Sequence, residues 1–509
     1  MKLNLDSLKS FPADYILPKF DVPAIVQRTK EAPTWLHMGA GNIFRILVAG
    51  AHQNLLDAGL TDTGIITYEG FDEEIVPQSF APFDNLTLAI TLNADGTVDK
   101  CVIASIADAF TCDLKRVKEV ISSPSLQMIS FTITENGYAV NPEKVCNSPN
   151  AAATTMEQTA AGLLERFNSK GAPIALVSMD NFAENGEKVK HALLTIAQVW
   201  HQNSTAPAEF VKYVNTMAYP WTMIDKITPR PSEDVAKILA ADGFEDTLIT
   251  KTAKNTFVAS FVNAESAEYL IIEDNFPSGR PPLEKAAGVY MTDKETVRKM
   301  DQMKVCACLN PLHTILGVAG PLLNLPTISA CMQDKRLVKL LEQAAKEALP
   351  TVAHPGIIAP EDFLKEVLTE RFPNPFIPDT PARIACDTSQ KVPVRFGVAM
   401  TERKQQNMPI NTLEAVPLFV ALWLRYRMGL DDKGNPFDVS PDPLLPEEFN
   451  VLTGLNFGEK IDLTPILSLE KTFGINLNET PLGAKIKMLF ADISSGVWAV
   501  TNKLDELYG

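Results

Sequence analysis

The sequence has no long apolar run, no cluster of lysine and arginine, and no Cys-x-x-Cys pair. Its longest apolar stretch, around 314–325, is interrupted by glycine and proline. No segment therefore reads as a membrane span, and no membrane partner is expected. The opening residues, Met1-Lys-Leu-Asn-Leu-Asp6, carry no apolar stretch after the lysine, which argues against a secretory signal. The net charge of −16 leaves no basic face for a phosphate backbone, so nucleic acid is excluded as a partner. Seven scattered cysteines, an odd number, fit reduced thiols and a cytoplasmic location. The six histidines show no metal-ligand spacing: His37 and His52, or His191 and His201, stand too far apart for a helical pair. No metal is expected.

What is present is an ordinary globular composition, 46% hydrophobic and 21% charged, over 509 residues. That length is too great for one core, so two domains are expected. The first half alternates strand-like stretches (34–38, 64–69, 86–92, 101–106, 126–134, 174–179, 257–262 and 269–273) with helix-like ones (43–57, 154–168 and 186–200). Such alternation implies a largely parallel sheet covered by helices. The second half reads as helices at 294–303, 312–322, 335–349, 360–371, 412–428, 464–473 and 481–507. The fold class is thus α/β, with an N-terminal Rossmann-type doubly wound sheet over 1–293 and a mostly α-helical domain over 294–509. The Pro/Gly-rich segment Phe276-Pro-Ser-Gly-Arg-Pro-Pro282 lies near the change of style, and Arg280 there reads as a brace at the junction.

After the first strand, Gly39-Ala-Gly41-Asn42 opens a helix that begins Ile43-Phe44-Arg45. Two glycines permit a tight turn and close backbone approach to a pyrophosphate, while the helix N-terminus offers free N–H groups. The third glycine of the usual fingerprint is missing. The next strand ends in Glu69, a carboxylate suited to ribose hydroxyls and repulsive to a 2′-phosphate, which favours NAD over NADP. The other reading of Glu69 is a solvated acid in an acidic loop. Glu135 follows another strand at the ligand-facing end of the sheet, with functional and structural readings evenly matched.

The densest chemistry lies in Lys304-Val-Cys-Ala-Cys-Leu-Asn310-Pro-Leu-His313. Asn310 and His313 share a helix face, and Pro311 suits a first helical turn. Taken alone, this is a capped helix with a partly buried histidine. However, Gly39-Ala-Gly-Asn-Ile-Phe-Arg45, Thr134-Glu-Asn-Gly-Tyr138, Ser178-Met-Asp-Asn181, Asp225-Lys-Ile-Thr-Pro229, Ile272-Glu-Asp-Asn-Phe276, Lys304…Asn310-x-x-His313 and Asp387-Thr-Ser-Gln-Lys391 occur in one order. Together they resemble the mannitol dehydrogenase family of polyol-specific long-chain dehydrogenases.

The resemblance implies a metal-independent NAD enzyme acting on a small sugar acid or polyol, with a cleft between its two domains. It also implies roles. Lys304 would be the general base, Asn310 and Asn181 the amides that steady the reacting oxygen, and His313 a substrate-orienting residue. Asp225 would lie beside them, and Arg383 and Lys391 would hold the far end of the substrate. The texture is closer to the uronate reductase branch, which implies exchange of D-fructuronate and D-mannonate. Mannitol and tagaturonate chemistries are the rivals, and a catalytically silent nucleotide-binding protein is the alternative of another class. Oligomeric state stays open. One departure stands out: five residues, not the family's four, separate Lys304 from Asn310, turning the lysine by about 100° on a regular helix. A one-residue bulge, or a helix beginning at Asn310, would absorb it.

Overall fold

The computed structural model describes all 509 residues, which form two compact units, Met1–Arg298 and Lys299–Gly509. The first unit is built on a five-stranded parallel sheet. In chain order its strands are β1 (Trp35–Met38), β2 (Ile65–Glu69), β3 (Ile106–Thr111), β4 (Met128–Phe131) and β5 (Ala175–Ser178). Their order across the sheet is β3-β2-β1-β4-β5, so the direction of winding reverses between β1 and β4. Register is direct: Leu36 opposes Ile66 on one side and Ile129 on the other.

The strands are apolar on both faces because helices cover both. Trp35, Ile65, Met128 and Val177 pack into one core with the helix that follows β1. Leu36, Ile66, Ile129 and Leu176 pack into another with helices Leu114–Ser122, Thr155–Asn168 and Asn185–Gln202. This is the doubly wound Rossmann arrangement.

Four expected strands lie elsewhere: the one at 269–273 joins Thr222–Asp225 and Val289–Thr292 in a three-stranded sheet, and those at 86–92, 101–106 and 257–262 lie in or beside a second sheet. Thr87–Leu92 and Val98–Ile103 form an antiparallel hairpin in a separate four-stranded sheet with Tyr15–Ile16 and Phe261–Glu265. The turn residues Asp95-Gly96 are the local reason. The chain then breaks at Ala104-Ser105 before β3: Gln53 accepts from the Ala104 N–H at 2.6 Å, and Ser105 Oγ donates to the Ala49 carbonyl at 2.6 Å.

The second unit is helical around Ala415–Tyr426, whose twelve residues are all buried. Helices Asn310–Leu322, Lys335–Ala348 and Pro481–Ile493 pack on it. The Glu347 carboxylate accepts from the N–H groups of Glu414, Ala415 and Val416, satisfying the orphan donors at that helix start. The helical run Lys294–Leu322 has the length and apolar composition of a membrane span, a property that its polar first turns conceal in the sequence. Of that apolar window, 78% is buried inside the protein, as in the core helix of a folded domain.

Candidate active site

In the first unit the site begins where β1 ends. Gly39 turns the chain with φ +105°, and a Cβ there would stand 2.3 Å from the Thr132 carbonyl oxygen, so only glycine fits. Gly41 differs: a Cβ there would meet nothing within 4 Å. Its bare backbone faces open space at the start of the helix. The Arg45 N–H donates to the Gly41 carbonyl at 3.1 Å, beginning the helical ladder and leaving the earlier amides as the positive helix end.

A cavity of about 690 Å³ opens here, lined by Gly39, Gly41, Glu69, Phe71, Thr134 and Lys254 among others. It lies at the C-terminal ends of β1, β2 and β4, the switch point where ligands of such sheets bind. The Lys254 ammonium donates to the Phe71 carbonyl and sits 4.2 Å from the centre of the Phe71 ring. Phe71 is 68% exposed, leaving an aromatic face open at the cavity edge.

Glu69 lines this cavity, and both its oxygens already accept from backbone. Oε2 takes the Ala40 N–H at 2.8 Å, and Oε1 takes those of Phe71 and Asp72 at 2.8 and 3.0 Å. The carboxylate thus fixes the glycine turn from below. It is buried rather than solvated.

The expectation that Phe44 and Arg45 contact a cofactor is corrected. Phe44 is fully buried and stacks on His37 at 4.0 Å. The Arg45 guanidinium is buried too, donating to Thr87 Oγ1 and to the carbonyls of Ala259 and Ser79. It braces the turn against the hairpin sheet. Ile43 is half-buried against the same core as Phe44, and Asn42 is half-buried at the helix start.

The cavity's other wall is held by a residue the sequence analysis passed over. Asp180 accepts from the N–H groups of Ile133 (2.8 Å) and Thr134 (3.1 Å) and from the Tyr138 hydroxyl (2.6 Å). Burial raises the Asp180 carboxyl above its ordinary range, against these hydrogen bonds. They secure Thr134 at φ +64°, ψ 161°, a backbone region normally left to glycine. Glu135 points instead to an open groove alongside and pairs with Lys188. Asn181 is exposed three residues beyond β5. Asp225 is buried at the end of strand Thr222–Asp225, opposite Tyr269.

In the second unit, Lys304, Asn310 and His313 share one helical run. The Leu309 N–H donates to the Lys304 carbonyl at 3.2 Å, an i→i+5 bond, so Lys304–Cys308 is a single wide turn. The extra residue is absorbed there. The helix Asn310–Leu322 starts afresh after Leu309, which leaves helical geometry at φ −129°.

Lys304 is 2% exposed, with Asp301 Oδ1 at 4.0 Å. Burial raises the Asp301 carboxyl, with Lys304 pulling the other way. His313 Nε2 lies 2.9 Å from Asp379 Oδ2, and the Phe372 ring packs on it at 5.0 Å. Burial lowers the His313 pKa against the pull of Asp379, and the Arg383 and Arg395 cations lower it further. Burial would raise Asp379, but His313 and Arg383 hold it below its ordinary value. Arg383 Nη2 pairs with Asp379 at 2.7 Å. The Lys391 ammonium donates to the carbonyls of Ile384 (2.8 Å) and Cys386 (2.6 Å).

Burial pushes the Cys306 and Cys308 thiols up to about 11 and about 12, unsuited to nucleophilic work. No group of three or more His, Cys, Asp or Glu side chains is arranged to hold a metal ion.

A glycine turn over a switch-point cavity, in a chain with a helical second unit, narrows the candidates. Residues 33–285 match the mannitol dehydrogenase Rossmann domain, and residues 296–490 match the mannitol dehydrogenase C-terminal domain. The chain belongs to the mannitol dehydrogenase family. It is an oxidoreductase of sugar acids or polyols.

A D-mannonate oxidoreductase of Thermotoga maritima is 43% identical, with the alignment covering all of this chain and 99% of the relative. A mannitol 2-dehydrogenase of Pyrenophora tritici-repentis is 30% identical over 81% of this chain and 72% of its own. Among solved structures, Pseudomonas fluorescens mannitol 2-dehydrogenase, a ternary complex with NAD and D-mannitol, shares the fold with a TM-score of 0.72 at 23% identity, covering 100% of this chain and 99% of that one. A substrate-free D-sorbitol dehydrogenase has a TM-score of 0.81 at 22% identity, each chain fully covered.

Proposed function

We propose that this family member interconverts D-mannonate and D-fructuronate with NAD(H). The observation that carries the reading is the 43% identity, end to end, with a D-mannonate oxidoreductase. The dinucleotide fits the first unit's cavity. Gly41 leaves clear backbone for a pyrophosphate, the helix N-terminus supplies amide donors, and Phe71 offers an exposed ring at the edge. The negative charge of Glu69 at the end of β2 disfavours a 2′-phosphate, which supports NAD. When bound, the nicotinamide supplies the hydride acceptor and donor.

The protein's own groups manage the proton and the charge. Lys304 takes the proton from the substrate hydroxyl during oxidation and returns it during reduction. Asn310 donates to the oxygen as it gains negative charge, the role that the family pattern also gives to Asn181. His313, oriented by Asp379, positions the neighbouring hydroxyl. The Arg383–Lys391 region, which carries more positive than negative side chains, attracts an anionic substrate.

The test follows absorbance of the NADH band with D-fructuronate, D-tagaturonate and D-fructose in turn, for the native chain and Lys304→Ala. Consumption is expected with fructuronate foremost. Lys304→Ala is expected to lose most turnover, roughly 100-fold or more, while keeping NADH affinity. Consumption with fructose alone moves the assignment to mannitol 2-dehydrogenase. Tight NADH binding without consumption of any substrate makes the chain a silent nucleotide binder.

A further inference from the structure

We propose that Arg395 anchors the substrate carboxylate and thereby selects sugar acids over neutral polyols. The inference rests on the sugar-acid reading above and assigns to one residue, just beyond the Arg383–Lys391 region, the choice of an acid over a polyol.

The second unit places four cationic or protonatable side chains near one another. Arg383 and Arg395 both act electrostatically on His313 and on Lys391. All four have partners, but only Arg383 and His313 meet a carboxylate, and Lys391 already commits its ammonium to two carbonyls. Arg383 pairs with Asp379 through Nε and Nη2 at 2.8 and 2.7 Å, and its side chain is 66% exposed. His313 lies against the same carboxylate. Lys391 holds two carbonyls at the end of the short helix Pro381–Ile384.

Arg395 differs. Its Nη1 donates to the Asn310 carbonyl at 3.3 Å and to Thr314 Oγ1 at 2.5 Å. No carboxylate pairs with it. The N–H groups on Nε and Nη2 have no protein partner, yet those atoms are not sealed from solvent. That pair of nitrogens is the edge of a guanidinium that matches a carboxylate with two parallel hydrogen bonds. Burial lowers the Arg395 pKa to about 10, a sign that the cation stands in a poorly solvating environment without a compensating anion. An uncompensated, half-buried guanidinium is costly unless a ligand supplies the missing charge.

Its position suits this task. Arg395 lies in a second wide turn, Pro393–Gly397, where the Val398 N–H reaches back to the Pro393 carbonyl. Proline has no N–H for the ordinary ladder, which favours the widened turn at this point. This turn packs on Lys304–Cys308, and Cys306 Sγ lies 3.3 Å from the Val394 carbonyl. Arg395 is therefore tied both to the turn that carries Lys304 and to the backbone of Asn310. In an aldonate such as mannonate, three carbons separate the carboxylate from the reacting carbon. A short linear substrate with its acid on Arg395 presents its other end for reaction.

The test is isothermal titration of D-mannonate and D-mannitol, with and without NADH, a pairing in which no turnover occurs. The two probes differ only in carboxylate against hydroxymethyl. The native chain is expected to prefer mannonate by about tenfold or more, the contribution of a bidentate charge pair. Arg395→Gln, which keeps a donor for Thr314, is expected to bring the two affinities within about threefold. Arg395→Lys, a point charge without the fork, is expected to fall between. A native chain without the preference overturns the proposal, as does a preference retained in Arg395→Gln. Should the glutamine variant not fold, an undiminished preference in Arg395→Lys overturns it equally. A native chain that prefers mannonate yet reduces no fructuronate overturns the functional reading and leaves the anchor standing.

Discussion

Gly39 and Gly41 stand two residues apart and have opposite reasons to be glycine. At Gly39 the fold demands it, through φ +105° and the Thr132 carbonyl 2.3 Å from any Cβ. At Gly41 the fold is indifferent, and the vacancy belongs to whatever fills the cavity. Gly39→Ala is accordingly expected to lose folded protein, seen as insoluble expression or a large drop in melting temperature. Gly41→Ala is expected to keep the native melting temperature within a few degrees and to weaken NADH binding about tenfold, measured by fluorescence titration. Equal effects on stability at both positions would remove the basis for placing a pyrophosphate there. The spacing Gly-x-Gly was visible in the sequence, but this division of labour was not, because it depends on Thr132, brought alongside by β4. The same limit applies to Arg45, whose buried partners Thr87 and Ala259 are remote in sequence. It applies equally to Asp379 and Arg395, which carry no signal until folding brings them to His313 and Asn310.

At the scale of elements, the wall formed by 132–140 depends on one carboxylate from the far side of β5. Replacing Asp180 by Asn removes the charge and one of two acceptor oxygens, while three donors still need partners. The expected cost is about 2 kcal/mol of stability, from urea denaturation, with weakened NADH affinity as Thr134 relaxes. Unchanged NADH affinity with lowered stability would separate this wall from the cofactor. The motif Ser178-Met-Asp-Asn181 drew attention to its last residue, yet its third residue does the holding. Elsewhere local signals sufficed. Four of the five central strands are legible from their apolar runs, whereas β3 (Ile106–Thr111) lies beyond the strand expected at 101–106. The five-residue gap after Lys304 calls for the bulge found at Lys304–Cys308. The hairpin Thr87–Leu92/Val98–Ile103 was missed as a separate sheet, since apolar periodicity names strands without naming their neighbours.

For the whole molecule, acid is the expected weakness. Burial lowers His37 to about 3 and His52 to about 4, the latter against the Thr63 carbonyl that accepts its Nε2 proton at 2.7 Å. Both stay neutral when folded, whereas in the unfolded chain they gain protons near pH 6.5. The unfolded state then binds more protons, so this contribution is complete above about pH 6.5 and shrinks as pH falls toward 4. Urea denaturation at pH 7 and pH 5 should differ by on the order of 2 kcal/mol per histidine, and His52→Gln should flatten the slope. A stability independent of pH across that window would refute it. The two stacked wide turns have a consequence on a longer timescale. Each parks a spare residue inside a helix whose ends remain anchored in the hydrophobic interior. Single-residue insertions and deletions there would re-aim Lys304 or Arg395 without rebuilding that interior, giving descendants an inexpensive route to new substrates.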